Sequence, residues 1–85
     1  MKSVYIVTRM QFDRLSEKFV VQEWLTEIFS SRSKAQEMIN YTIENESLNA
    51  YISLNDEDVY TLDSVSGKIR ILLNKVEVNK YNYSN

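Results

Sequence analysis

Residues 30–47, SSRSKAQEMINYTIENES, decide how the rest of the chain is read. Ala35, Met38, Ile39, Thr42 and Ile43 fall at the i, i+3, i+4, i+7 and i+8 positions of one helical stripe, and Lys34, Gln36, Glu37, Glu44 and Glu46 lie largely off it. Neither Gly nor Pro interrupts the run. A serine at 30, 31 or 33 can accept a hydrogen bond from a first-turn amide, and Ser33 with Gln36 has the spacing of a capping box. The spacing predicts a helix near residues 31–46. Asn45, Ser47 and Asn49 are its candidate terminators, while Glu44 and Glu46 sit where the helix dipole favours cations, which predicts fraying.

On both sides of this helix the periodicity is that of strands. Upstream, Val4, Ile6, Thr8, Met10 and Phe12 alternate with Tyr5, Val7, Arg9 and Gln11, so residues 2–12 form a strand. Residues 13–18, DRLSEK, make a hairpin connector, and residues 19–29, FVVQEWLTEIF, the returning strand. That second strand has apolar weight on both faces: Val20, Trp24 and Ile28 on one, Phe19, Val21, Leu25 and Phe29 on the other. One helix covers one face. The surplus predicts either a bulge that changes phase midway or a surface buried against a second copy, a homo-oligomer.

Downstream, residues 50–54 are short and β-prone, and residues 55–58, NDED, are a turn by composition. Residues 59–65 and 69–78 flank Ser66-Gly67, where the chain's single glycine supplies a hairpin's positive φ. Ile69, Ile71 and Leu73 share one face of the last strand but Val76 and Val78 share the other, which predicts a bulge or twist near residues 72–74. The expected fold is α+β: a small, mainly antiparallel sheet, ββαββ or a variant with a further strand, with one amphipathic helix packed on one face. Residues 1–80 are read as one domain and 81–85 as a polar tail.

The entry to the helix carries a resemblance. VYIVT, an antiparallel hairpin and then IFSSRSKAQEMI resemble a recurrent pattern in small uncharacterised phage and bacterial proteins, in which a strand ends in Phe-Ser-Ser and opens a helix with Lys-Ala and an apolar residue three or four positions on. It covers roughly the first half. The resemblance implies a small accessory protein of phage type, a counter-defence factor that inhibits a host protein by binding it, and assigns no site.

Composition removes several chemistries. The 85 residues hold no cysteine and no histidine, so thiolate chemistry, disulfides and the commonest general base and metal ligand are absent. A net charge of −2 argues against a general nucleic-acid binder. The first ten residues hold too short an apolar run for a signal peptide, and no later stretch reaches membrane-spanning length, so a cytoplasmic protein without membrane contact is expected. No spacing of Ser, Lys, Tyr or carboxylate singles out a catalytic pair. The reading is a non-enzymatic binding protein, with no cofactor and no metal.

Two candidate surfaces follow. From residue 44 to residue 63 every charged residue is acidic, and Glu44, Glu46, Asp56, Glu57, Asp58 and Asp63, with Tyr60, form a candidate surface for a basic host protein. NDED lacks the alternating ligands and central glycine of a calcium loop. The alternative is an oligomer that sequesters a small phosphorylated or nucleotide ligand at the helix N-terminus, through Ser31, Arg32 and Lys34 with Tyr5, Arg9 and Trp24. A third reading is a host regulatory or structural interaction domain. Each surface also has an ordinary explanation: solvated turns, a serine cap and packed aromatics.

Overall fold

The computed structural model describes residues 2–22 and 26–78. Seven elements follow in order: β1 (Lys2–Asp13), β2 (Lys18–Val21), β3 (Glu27–Phe29), α1 (Arg32–Asn45), β4 (Ala50–Asn55), β5 (Val59–Ser64) and β6 (Ile69–Val78). The strands make one antiparallel sheet in the order β2-β1-β6-β5-β4, and β3 pairs with β1 on the same edge as β2. The fold is α+β with one helix among the described residues. Three strands follow that helix, and the strand expected over 19–29 is two.

The break in that strand resolves its double apolar pattern. β2 pairs Met10 with Val21, and β3 pairs Val7 with Glu27, so the numbering moves three positions along β1 and six along its partner segment. The excess of three is odd. An odd shift exchanges faces, because side chains alternate with a period of two. Phe19 and Val21 therefore share a face with Met10 and Phe12, whereas Phe29 shares the face of Tyr5 and Val7. Trp24 and Leu25 lie outside the described residues.

The last strand departs from expectation in the other direction. β6 pairs with β1 from Lys2↔Val78 to Gln11↔Ile69 without a shift, so the bulge expected near residues 72–74 is absent. Val76 and Val78 lie opposite Ile71 and Leu73 because the second face of the sheet is itself apolar. The irregularity falls in β4 instead, between Ile52 and Leu54, and turns Leu54 onto that second face.

The core lies between α1 and the sheet. Ala35 and Ile39 cluster with Val7, Tyr60, Leu62, Ile71 and Leu73, with Tyr5, Phe29, Ile43, Leu48, Ala50 and Ile69 packed around them. Ile39 and Leu73 are the large side chains buried completely. Burial of such residues contributes about 1.5 to 3 kcal/mol each, and here it is concentrated on one side of the sheet.

The helix ends are built by local chemistry. Ser31, in extended conformation, is the N-cap and accepts from the Lys34 amide. At the other end the amides of Ser47 and Leu48 donate to the carbonyls of Glu44 and Ile43, and Ser47 takes φ 51°. This is a Schellman termination with serine at the position that glycine usually fills, closed by Leu48 and Ile43 packing on the core. The expected fraying is opposed by this lock and by Arg9, whose guanidinium pairs with Glu46 beside the last turn. Gly67 takes φ 75° in the β5–β6 hairpin, where Ser64 Oγ accepts from the amides of Lys68 and Ile69.

Candidate functional site

At the break between β2 and β3, β1 loses its regular edge partner opposite Thr8 and Arg9, and the Gln22 amide reaches back to the Arg9 carbonyl at 2.9 Å. A cleft of about 180 Å³ opens beside this point, between the sheet and the second half of α1. Val7, Ile71, Met38 and Ile39 make it apolar, and Arg9, Glu27, Asn45 and Glu46 bring polar groups to it. Arg9 pairs with Glu46 through Nη1, but its Nε is buried without a partner among the described residues, as is Gln22 Oε1. Glu27 makes no ion pair among the described residues. A buried donor left unpaired costs about 1 to 3 kcal/mol.

The acidic run is not assembled into one surface. Asp56, Glu57 and Asp58 form the exposed β4–β5 turn at the N-terminal end of α1, where Arg32 donates to the Glu57 carbonyl at 2.8 Å and the Asp56 carbonyl at 3.3 Å. The Lys75 amide donates to the Asp58 carbonyl, closing the turn from β6. Glu44 and Glu46 stand at the opposite end of the helix, about 20 Å away for fourteen residues. Asp63 lies on the sheet's other face, and Tyr60 is a core residue at 7% exposure.

The alternative set is divided too. Ser31 spends its hydroxyl on the cap, Arg32 its guanidinium on the acidic turn, and Lys34 is exposed on the first turn. Tyr5 packs at the core margin near that end, but Arg9, four residues further along β1, belongs to the cleft at the helix C-terminus. Trp24 lies outside the described residues. One expected residue, Arg9, and one acidic residue, Glu46, are thus brought together. Glu27 and Met38 complete their surroundings and were not singled out for a site, because the apolar pattern of residues 19–29 signals a change of phase without its place, and the helix crossing is not written in local periodicity.

A second polar feature lies on the far face. Arg70 donates from Nε to Asp63 Oδ1 at 2.6 Å and from Nη2 to Oδ2 at 3.2 Å, and its guanidinium stacks 4.3 Å from the centre of the Phe19 ring. The Arg70 guanidinium holds the Asp63 carboxyl below the usual carboxylate range, and the carboxylate raises the Arg70 pKa in return. Phe19 meets Phe12 edge to face with centroids 5.5 Å apart. Asp13, in the β1–β2 turn, is also lowered, by hydrogen bonds from the Ser16 hydroxyl and the Leu15 amide.

Comparison with protein-family models, with curated proteins and with solved structures finds no match. No group of three or more His, Cys, Asp or Glu suited to a metal occurs among the described residues, and no helix there is long and apolar enough to cross a membrane.

Proposed function

We propose that this chain is a non-enzymatic binding protein, a small accessory factor of the phage type that inhibits a host protein by inserting one of the partner's side chains into the cleft beside Arg9. The cleft's size carries the reading. At about 180 Å³ it is smaller than the roughly 300 to 1,000 Å³ of pockets for drug-sized ligands, and it suits a single apolar anchor of the kind that dominates protein interfaces. Its charge selects the neighbour of that anchor. Arg9 is compensated by Glu46, which leaves Glu27 without an ion pair among the described residues, so the partner segment carries a Lys or Arg beside its apolar residue.

Phosphorylated ligands fit this cleft less well, since two carboxylates flank its one cation. Catalysis has little support either. The groups with displaced pKa, Asp13, Asp63 and Arg70, are engaged in a turn and an ion pair away from the cleft.

Capture from a bacterial lysate by the intact protein, run beside a Met38→Trp variant that fills the cleft, tests the reading. One host protein retained by the first and lost by the second, with the fold unchanged by circular dichroism, is the expected result. Equal retention by both moves the interface elsewhere. An intact small molecule released on denaturation, in place of a protein, would substitute ligand sequestration, and turnover of any compound at catalytic protein concentrations would end the non-enzymatic reading.

A further inference from the structure

The cleft leaves a second apolar surface of the described residues unused. By register, the face of the sheet away from α1 carries Phe12, Phe19, Val21, Leu54, Leu72 and Val76, and no described element crosses it. Phe12, Val21, Ile28, Leu54 and Val76 are between 37% and 67% exposed there. Exposed apolar residues scattered singly need no explanation, but several on one face, around a centre where Thr61 and Asp63 are already buried, suit an interface.

We infer that this face packs against the same face of a second copy, giving a two-fold sheet-on-sheet dimer with the two helices outermost and both clefts free. Three observations select a second copy as the occupant. The first is charge. Among the described residues, apart from Lys2 at one corner, the charged side chains on the face are Asp63 and Arg70, which neutralise each other through two hydrogen bonds. A neutral face exerts no pull on a charged partner and meets no like-charge repulsion from its own image, and a two-fold axis brings identical patches together.

The second is area. Strand spacings of about 4.8 Å and rises of about 3.4 Å per residue give this five-position sheet a footprint of about 500 Å², which side-chain relief brings towards the roughly 800 Å² that a standard interface takes from each partner. The third is the thinness of the existing core. Seven apolar residues are buried on the helix side, and of eleven large apolar residues exposed over the described chain six, Phe12, Val21, Ile28, Tyr51, Leu54 and Val76, stand on the open face. Facing sheets about 10 Å apart would interdigitate Phe12, Leu54 and Val76 into a second core.

Light scattering and sedimentation on the full chain test the dimer, with two glutamate variants for comparison. Leu54 and Ile52 lie on the same strand, both half-exposed, but the β4 irregularity places them on opposite faces. The intact protein is expected at twice the 10.1 kDa chain mass, Leu54→Glu at one chain mass, and Ile52→Glu at twice it. Val76→Glu, on β6, repeats the first variant from another strand, so that a folding defect peculiar to one site does not decide the matter. A monomer at high micromolar concentration overturns the dimer. So does dissociation by Ile52→Glu with Leu54→Glu still dimeric, or a full chain that is monomeric and dimerises only when cut after Val78, which would make residues 79–85 the occupant. The cleft is not part of this interface, so Leu54→Glu should still capture what the intact chain captures; loss of capture by Met38→Trp alone tests the cleft, and loss of dimerisation alone tests the sheet face.

Discussion

Leu72 and Leu73 are neighbours on β6, and they report on two different environments. Leu73 is completely buried with Ile39, Val7 and Leu62 under the helix, whereas Leu72 is only partly buried on the face that carries Phe12 and Val76. Both faces of the sheet are apolar, and among the described elements only α1 covers one of them. The difference teaches that apolar content alone does not locate this protein's core. Cover is supplied by α1, through a stripe whose deepest residues are Ala35 and Ile39.

The largest effect expected of that contrast is on stability. Leu73→Ala should cost about 3 to 5 kcal/mol and Leu72→Ala about 1 kcal/mol or less, read by urea unfolding at dilute protein. Equal costs would mean that the second face is covered as tightly as the first, and the contrast would fail. Met38→Ala, in the cleft wall and half-buried, should fall between the two.

The polar centre of the open face comes next. Asp63→Asn removes the charge that Arg70 pairs with, and should destabilise by about 1 to 2 kcal/mol, less than for a fully enclosed pair because Arg70 is partly exposed. The pH dependence has a definite sign. Because the folded Asp63 pKa lies below the ordinary carboxylate value of 3.8, its contribution is complete above that value and is lost as pH falls through the lower folded pKa. Intact protein and Asp63→Asn should therefore differ by a constant amount from neutral pH to about pH 5 and converge below about pH 4 in denaturant titrations.

Two smaller changes act on the helical cover itself. Ser31→Ala deletes the acceptor for the Lys34 amide and should cost about 1 kcal/mol, seen as a lower unfolding midpoint with an unchanged denaturant slope. Ser47→Gly relieves a left-handed serine at the helix end and should stabilise by about 0.5 to 1 kcal/mol. Should Ser47→Gly destabilise instead, the Schellman geometry would be the wrong account of how the helix stops.

Much of the architecture was legible in local periodicity. The 3.6-residue stripe of α1, the alternation of β1, the NDED turn and the glycine hairpin all appear near their expected places, because each is decided by residues within a few positions of one another. The candidate site was legible only in fragments. Arg9 and Glu46 were each named, but in opposing hypotheses, and their pairing across 37 positions is visible only once α1 lies beside β1. The six carboxylates form one run in sequence and separate in space, since the helix and strands between them carry the chain to two ends and two faces of the sheet.

The sequence by itself determined which segments are helical or extended, which chemistries lack their side chains, and that more apolar surface exists than one helix covers. Tertiary structure alone decided where that surplus goes. Face assignment depends on register between strands far apart in the chain, and register is changed by an odd number of extra residues, three between β2 and β3 and one within β4. A period-two pattern read along a single strand contains the alternation but not its phase relative to the neighbour. That phase puts Phe29 under the helix and Phe19 on the open face.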